Sequence, residues 1–155
     1  AGVLALLALV LSWVFLVGPP QPKHFRFAAG VPGGAYTAFA EDYRQQFAQV
    51  HIDMQVVESQ GSVDNVHLLQ DPASGVVAAL VQGGVIGSKA MAKGLLALGS
   101  IGREPLWLFY RGEQTLTQVR QLAGKRIGVG ADGSGVRPVA MQVVVANGLD
   151  PEVSP

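Results

Sequence analysis

Short segments that alternate with period two and longer segments with helical spacing follow one another from Lys23 onward, with glycine-rich junctions between them. His24-Phe25-Arg26-Phe27-Ala28 alternates, and Gly30-Val31-Pro32-Gly33-Gly34 breaks the pattern. Tyr36, Phe39, Ala40, Tyr43, Phe47 and Val50 then recur on one helix face. Ile52-Asp53-Met54-Gln55-Val56 is a second alternating run, and Ser59-Gln60-Gly61-Ser62 turns into a helix that reaches about Leu69. Asp71-Pro72 closes that helix, because a residue before proline avoids the α region. Val76 to Val81 is continuously apolar, as a central parallel strand requires.

Farther along, the same rules predict a helix over Val85–Lys93 and strands over Leu95–Ile101 and Leu106–Tyr110. They also predict a helix over Thr115–Leu122, a strand over Lys125–Val129 and a helix over Ser134–Ala146. Trp107 and Phe109 fall two residues apart on the second of those strands, and at least one is expected to line a cleft or the interface between two lobes. The order as a whole predicts an α/β fold, a mainly parallel sheet with flanking helices. In such sheets ligands bind beyond the carboxyl ends of the strands, which singles out the strand-to-helix loops.

The amino-terminal segment is of another kind. Residues 1–17 carry no charge, and Ser12 is their one clearly polar side chain. A helix that crosses a bilayer needs about 20 apolar residues, with about 17 as the lower limit. The segment therefore reads as a transmembrane anchor or a signal segment, although no Ala-x-Ala cleavage pattern stands near Val17. Residues 18–22, Gly-Pro-Pro-Gln-Pro, read as a stiff spacer. Neither Ala1 nor Pro155 looks like a natural terminus, and the chain is expected to be a piece of a longer protein.

Several chemistries are excluded by content. The chain has no cysteine, so thiolate nucleophiles, thiolate metal sites and disulfides are out. Its formal net charge is zero and it has no basic run, which speaks against a nucleic-acid partner. His24, His51 and His67 lack metal-ligand spacing. Ser134 is preceded at two residues by Asp132 rather than glycine, so it is not the nucleophile of a Gly-x-Ser-x-Gly elbow. No catalytic residue, metal or cofactor is expected.

Three junctions share a composition suited to binding. They are Gly30 to Tyr36, Ser59 to Asn65 and Gly130 to Gly135. Each places glycine at the start of a helix, and two add serine. The first turn of a helix has unpaired N–H groups and a partial positive charge, so a carboxylate or phosphate can rest there without a cationic side chain. For each serine, capping of its own helix is the competing role.

The sequence resembles the TAXI group of solute receptors that serve TRAP transporters. The resemblance lies in Gly33-Gly34-Ala35-Tyr36, in Gln60-Gly61-Ser62-Val63-Asp64-Asn65 with Leu68-Leu69, in Ala79-Leu80-Val81-Gln82, and in Leu122-Ala123-Gly124-Lys125-Arg126-Ile127 running on to Gly133-Ser134-Gly135. It covers roughly Phe25 to Leu149.

The resemblance implies a periplasmic-binding-protein-like receptor of two lobes that captures a small anionic solute, such as an amino acid or a dicarboxylate, for the transporter's membrane subunits. It places the protein on the periplasmic or cell-surface side of a bacterial inner membrane, held by its N-terminal helix. The first lobe is expected over 23–108 and the start of a truncated second lobe over 109–155, with Leu106–Tyr110 crossing between them. Residues 23–155 alone are therefore expected to bind solute poorly. The implied ligand-binding residues are Gly33, Gly34, Tyr36, Ser59, Gly61, Ser62, Asn65 and Gln82 from the first lobe, and Gly133, Ser134, Gly135 and Val136 from the second. Val136 stands where the family commonly has threonine, which removes a hydroxyl. Arg137 beside it either clamps a ligand carboxylate or points to solvent.

Two alternatives remain. Gly128, Gly130 and Gly133 fit Gly-x-Gly-x-x-Gly, which in a strand–turn–helix context marks a dinucleotide-dependent enzyme. A membrane-anchored sensory ectodomain would have the same architecture as the receptor.

Overall fold

The computed structural model describes residues 2–17, 22–87 and 93–150. Helix α1 spans Gly2–Val17, strand β1 His24–Ala28, helix α2 Ala35–Gln49 and strand β2 Asp53–Val57. Helix α3 spans Ser62–Gln70, strand β3 Val76–Ala79 and helix α4 Val136–Ala146, with 3-10 turns at Pro72–Ser74 and Val119–Leu122.

The three strands form one parallel sheet in the order β2-β1-β3. β1 is central, with His24 opposite Asp53 and Ala28 opposite Val57 on one side. On the other side Phe27 faces Ala78 and Ala28 faces Ala79, with a shift in register between Arg26 and Phe27. The alternation of β1 explains the packing. Phe25 and Phe27 are two residues apart, so they share a face. Tyr43 and Phe47 are four apart on α2, so they share a helix face. The two pairs meet edge to face, Phe25–Phe47 at 5.2 Å between centroids and Phe27–Tyr43 at 6.3 Å. Each such pair adds about 1 kcal/mol beyond the area it buries. Ala29, Ala40 and Met54, all buried, fill the space around them.

α3 covers the opposite side through the buried Val66, close to β3 and the buried Leu80. Arg26 crosses beneath it and donates from Nη1 to the Ser74 carbonyl. Asp71 stops α3 as its sequence predicts: its backbone is extended, and its Oδ1 accepts from Ala73 N at 2.9 Å.

The expected elements up to β3 are present within a residue or two. Beyond β3 the outcome differs. Residues 85–87 are not helical, and the rest of the predicted 85–93 helix lies largely on 88–92, outside the described residues. Residues 95–101, 106–110 and 125–129 form no strands. A strand exists only through hydrogen bonds to a neighbour, and here the apolar runs have none. Leu96 and Leu98 are 92% and 96% exposed, and Trp107 and Phe109 are 73% and 86% exposed. The expected crossing strand at Leu106–Tyr110 is therefore absent, and both rings are exposed. The predicted 115–122 helix is reduced to the turn Val119–Leu122, and α4 begins at Val136 rather than Ser134.

The expectation of a transmembrane helix also needs correction. α1 has 16 residues, which gives a length of about 24 Å against a hydrocarbon core of about 30 Å. Among the described residues no helix is long and apolar enough to cross a membrane.

Candidate functional site

Beyond the carboxyl ends of β1 and β3, Asn65 holds the loops in place. It is completely buried, and its Nδ2 donates to Ala29 O at 2.6 Å and to Leu80 O at 2.7 Å. One side chain thus ties the first turn of α3 to the residues that follow both strands. Its Oδ1 is buried and has no partner. Ser59, also buried, accepts from Gly61 N through Oγ at 3.2 Å, and Asp64 Oδ2 accepts from Gln60 N at 3.0 Å. These bonds shape the turn into α3.

Ser62 is buried in that turn. Its Oγ accepts from the backbone N–H of Gln82 at 2.9 Å, which fastens the loop after β3 to α3. The phenol of Tyr36, in the first turn of α2, lies near Ser62 and the Glu104 carboxylate. Burial first, then the Glu104 hydrogen bond and its negative charge, push the phenol well above the ordinary tyrosine range; the Ser62 bond pulls it the other way. Two of the three predicted junctions, together with Gln82, are thereby connected.

The third junction joins by close backbone contact. Gly133 O accepts from Val63 N at 3.0 Å and from Asp64 N at 3.3 Å. A Cβ on Gly133 would stand 2.7 Å from Gln60 Cβ, and its φ is +81°, so both space and conformation require glycine. A Cβ on Gly135 would stand 2.5 Å from Gln82 Oε1 and 2.8 Å from Ser62 Oγ. A Cβ on Gly61 would stand 3.1 Å from Ser134 Cα. Farther along α4, Gln142 Nε2 donates to Gly84 O at 2.9 Å.

Tyr36, Ser59, Gly61, Ser62, Asn65, Gln82, Gly133, Ser134 and Gly135 are thus brought to one end of the sheet. Gly33 and Val136 are exposed at the margins, and Gly34 serves as the N-cap of α2, its N–H donating to Val31 O. Neither serine caps a helix: Gly61 and Gly135 are the N-caps of α3 and α4, and Ser134 Oγ turns back to Ala131 O at 2.8 Å. Arg137 points to solvent rather than clamping a ligand, and at the surface it bonds Gly130 O and pairs with Asp132 at 3.2 Å.

One expected feature is occupied by the chain itself. The α3 amides predicted to receive an anion are taken by the Gly133 carbonyl. No residue pattern signals this, because a backbone oxygen has no letter. Glu104 was missed as well, since it sits in a segment without regular structure. The dinucleotide pattern lacks its context: residues 126–130 form no strand, and Gly133 serves α3. A shallow hollow of 260 Å³, lined by Arg44, Ala48, His51, Ile52, Asp53 and Met54, lies at the start of β2, away from this cluster.

The model of a family described as the NMT1-like family matches residues 27–154. No curated protein and no solved structure matches the chain.

Proposed function

Because the chain belongs to the NMT1-like family, a family of periplasmic-binding-protein-type proteins, we propose that it is a solute receptor working outside the cytoplasmic membrane for a TRAP-type transporter of the TAXI group. Its solute is a small molecule carrying a carboxylate. The observation that carries this is the convergence of three helix-start loops and Gln82 at the carboxyl ends of parallel strands, held by Asn65, Ser62 and Gly133. A ligand carboxylate accepted there takes the place of the Gly133 carbonyl on the Val63 and Asp64 amides. Those donors sit at a helix start, where negative charge is favoured by about 0.3–1 kcal/mol when exposed and up to about 2 when partly buried. Residues 23–108 form the first lobe, and residues from 109 onward begin the second. The apolar Gly2–Val17 helix supports placement on the periplasmic or cell-surface side.

A thermal-shift screen of the full-length protein, with both lobes present, against small mono- and dicarboxylates tests the proposal. A binding carboxylate at 100 times its Kd adds about 2.7 kcal/mol of stability, a rise of several degrees in Tm. The same solute should give little or no rise in Ser62→Ala. If no carboxylate raises Tm, or if the rise is unchanged in that variant, the proposed site is wrong.

A further inference from the structure

We infer that residues 130–142 form a latch that keeps the first turn of α3 shut against anions, with Gln142 as its positioning residue. The inference rests on the receptor proposed above and adds how its site is regulated: a solute binds only in competition with the chain's own Gly133 carbonyl.

What occupies the α3 amides carries it. The N–H groups of Val63 and Asp64 lie in the first turn of the helix, where negative charge is favoured. Both donate to Gly133 O, at 3.0 and 3.3 Å. That acceptor is neutral, and hydrogen bonds to an ionised acceptor are roughly twice as strong as neutral ones. The Gly133 carbonyl is thus a placeholder that a carboxylate outcompetes as an acceptor.

The placeholder moves with α4. Ser134 N and Oγ both donate to Ala131 O, at 3.2 and 2.8 Å, and Arg137 Nη1 donates to Gly130 O at 3.3 Å. These bonds fasten the loop to the start of the helix. Gly133 packs against Gln60, and Gly135 against Ser62 and Gln82, with no room for even one added carbon at either glycine. A carboxylate placed on the α3 amides therefore has to lift loop and helix together. Farther along the helix, Gln142 Nε2 donates to Gly84 O at 2.9 Å and ties α4 to the loop after β3. This bond breaks when the helix lifts. Gln142 is exposed, and of the described residues of α4 Val144 alone is buried, so the latch is held by a few contacts rather than by a core. Segments held in that way open locally, without global unfolding. Solute binding is weakened in proportion to the fraction of closed molecules, and whatever loosens the latch strengthens binding.

The test uses the isotope-labelled full-length protein. Amide hydrogen exchange of Val63 and Asp64 is followed first without solute, and binding of disodium glutarate, a plain dicarboxylate, is then measured by titration. Gln142→Ala removes the bond to Gly84 O and keeps a good helix former in place. Exchange of both amides should speed up about fivefold, the loss of one ordinary hydrogen bond, and glutarate should bind more tightly by the same factor. The amides of Phe25 and Phe27 in β1 should exchange as in the parent, and faster exchange there as well would make the bond merely structural and overturn the latch. Asn147→Ala removes a bond from α4 to its own Val143 O and should change neither readout. Unchanged exchange at Val63 and Asp64 in Gln142→Ala overturns the latch and leaves the receptor standing. Faster exchange there with unchanged or weaker glutarate binding overturns it too. Glutarate bound by neither protein overturns the receptor reading, and the latch with it.

Discussion

The carbonyl oxygen of Gly133 lies 3.0 Å from the amide nitrogen of Val63, and this single backbone atom closes the amino terminus of α3. The helix has no side-chain cap of its own, since Gly61 is its N-cap residue. The contact depends on a glycine with φ of +81° packed against Gln60. Gly133→Ala should therefore cost about 2–4 kcal/mol, from steric overlap and left-handed strain together. Urea unfolding measures it. Adding Gln60→Gly removes the atoms that clash but not the strain, so the double variant should recover part of the loss. A double variant no better than the single one would place the cost elsewhere.

Asn65 makes a separate prediction. Asn65→Ala strips donors from two buried carbonyls, Ala29 O and Leu80 O. Each unsatisfied group costs about 1–3 kcal/mol, so a loss of about 2–5 kcal/mol is expected in chemical denaturation. Asn65→Asp should be worse at neutral pH, because it sets a carboxylate against those same oxygens. If Asn65→Asp is as stable as the parent, the side chain does not bridge the strand ends.

Up to β3, fold and sequence agree for a simple reason. The signals there are local periodicities backed by burial: Phe25 and Phe27 on one strand face meet Tyr43 and Phe47 on one helix face. Beyond β3 the local signal is equally good, but Leu96, Leu98, Trp107 and Phe109 meet no neighbouring strand. Strand formation is a pairwise event, and alternation in one segment does not say whether a partner arrives. The loops that gather at the strand ends were legible because glycine and serine mark helix starts. The atoms that decide the site's polarity were not, because the Gly133 carbonyl belongs to the main chain and Glu104 looks like any exposed acid.

Tyr36 should make stability depend on alkaline pH. Its phenol is pushed above the ordinary range by burial first and then by Glu104. The folded chain thus keeps a proton that the unfolded chain releases near pH 10. Folded protein then binds more protons than unfolded, so the contribution is fully present below about pH 10 and is lost as pH rises through the raised folded value. The gap in urea midpoint between the parent and Tyr36→Phe should narrow as pH climbs from about 9 to about 11. A constant or widening gap would contradict the placement of the phenol beside Glu104.

His51 should tolerate, and gain from, replacement by glycine. It follows α2 with φ of +59°, and His51 N donates to Ala48 O while Ile52 N donates to Phe47 O. This is the helix-ending position that normally takes glycine. His51→Gly removes left-handed strain and adds unfolded-state entropy, with a net gain of about 0.5–1 kcal/mol expected. Thermal unfolding checks it, and a loss of stability would mean that the imidazole makes a contact worth more than the strain.

The closure of α3 by Gly133 also sets an order of events during synthesis. The helix leaves the ribosome well before the residue that completes it, so its first turn is exposed to water until the later loop folds back. Bringing those distant segments together carries a loop-closure cost that nearby contacts do not. Assembly of the cluster at the strand ends therefore waits on chain lying far downstream of α3. A lesion in that late loop would harm the site even though every residue of the sheet had already been made correctly.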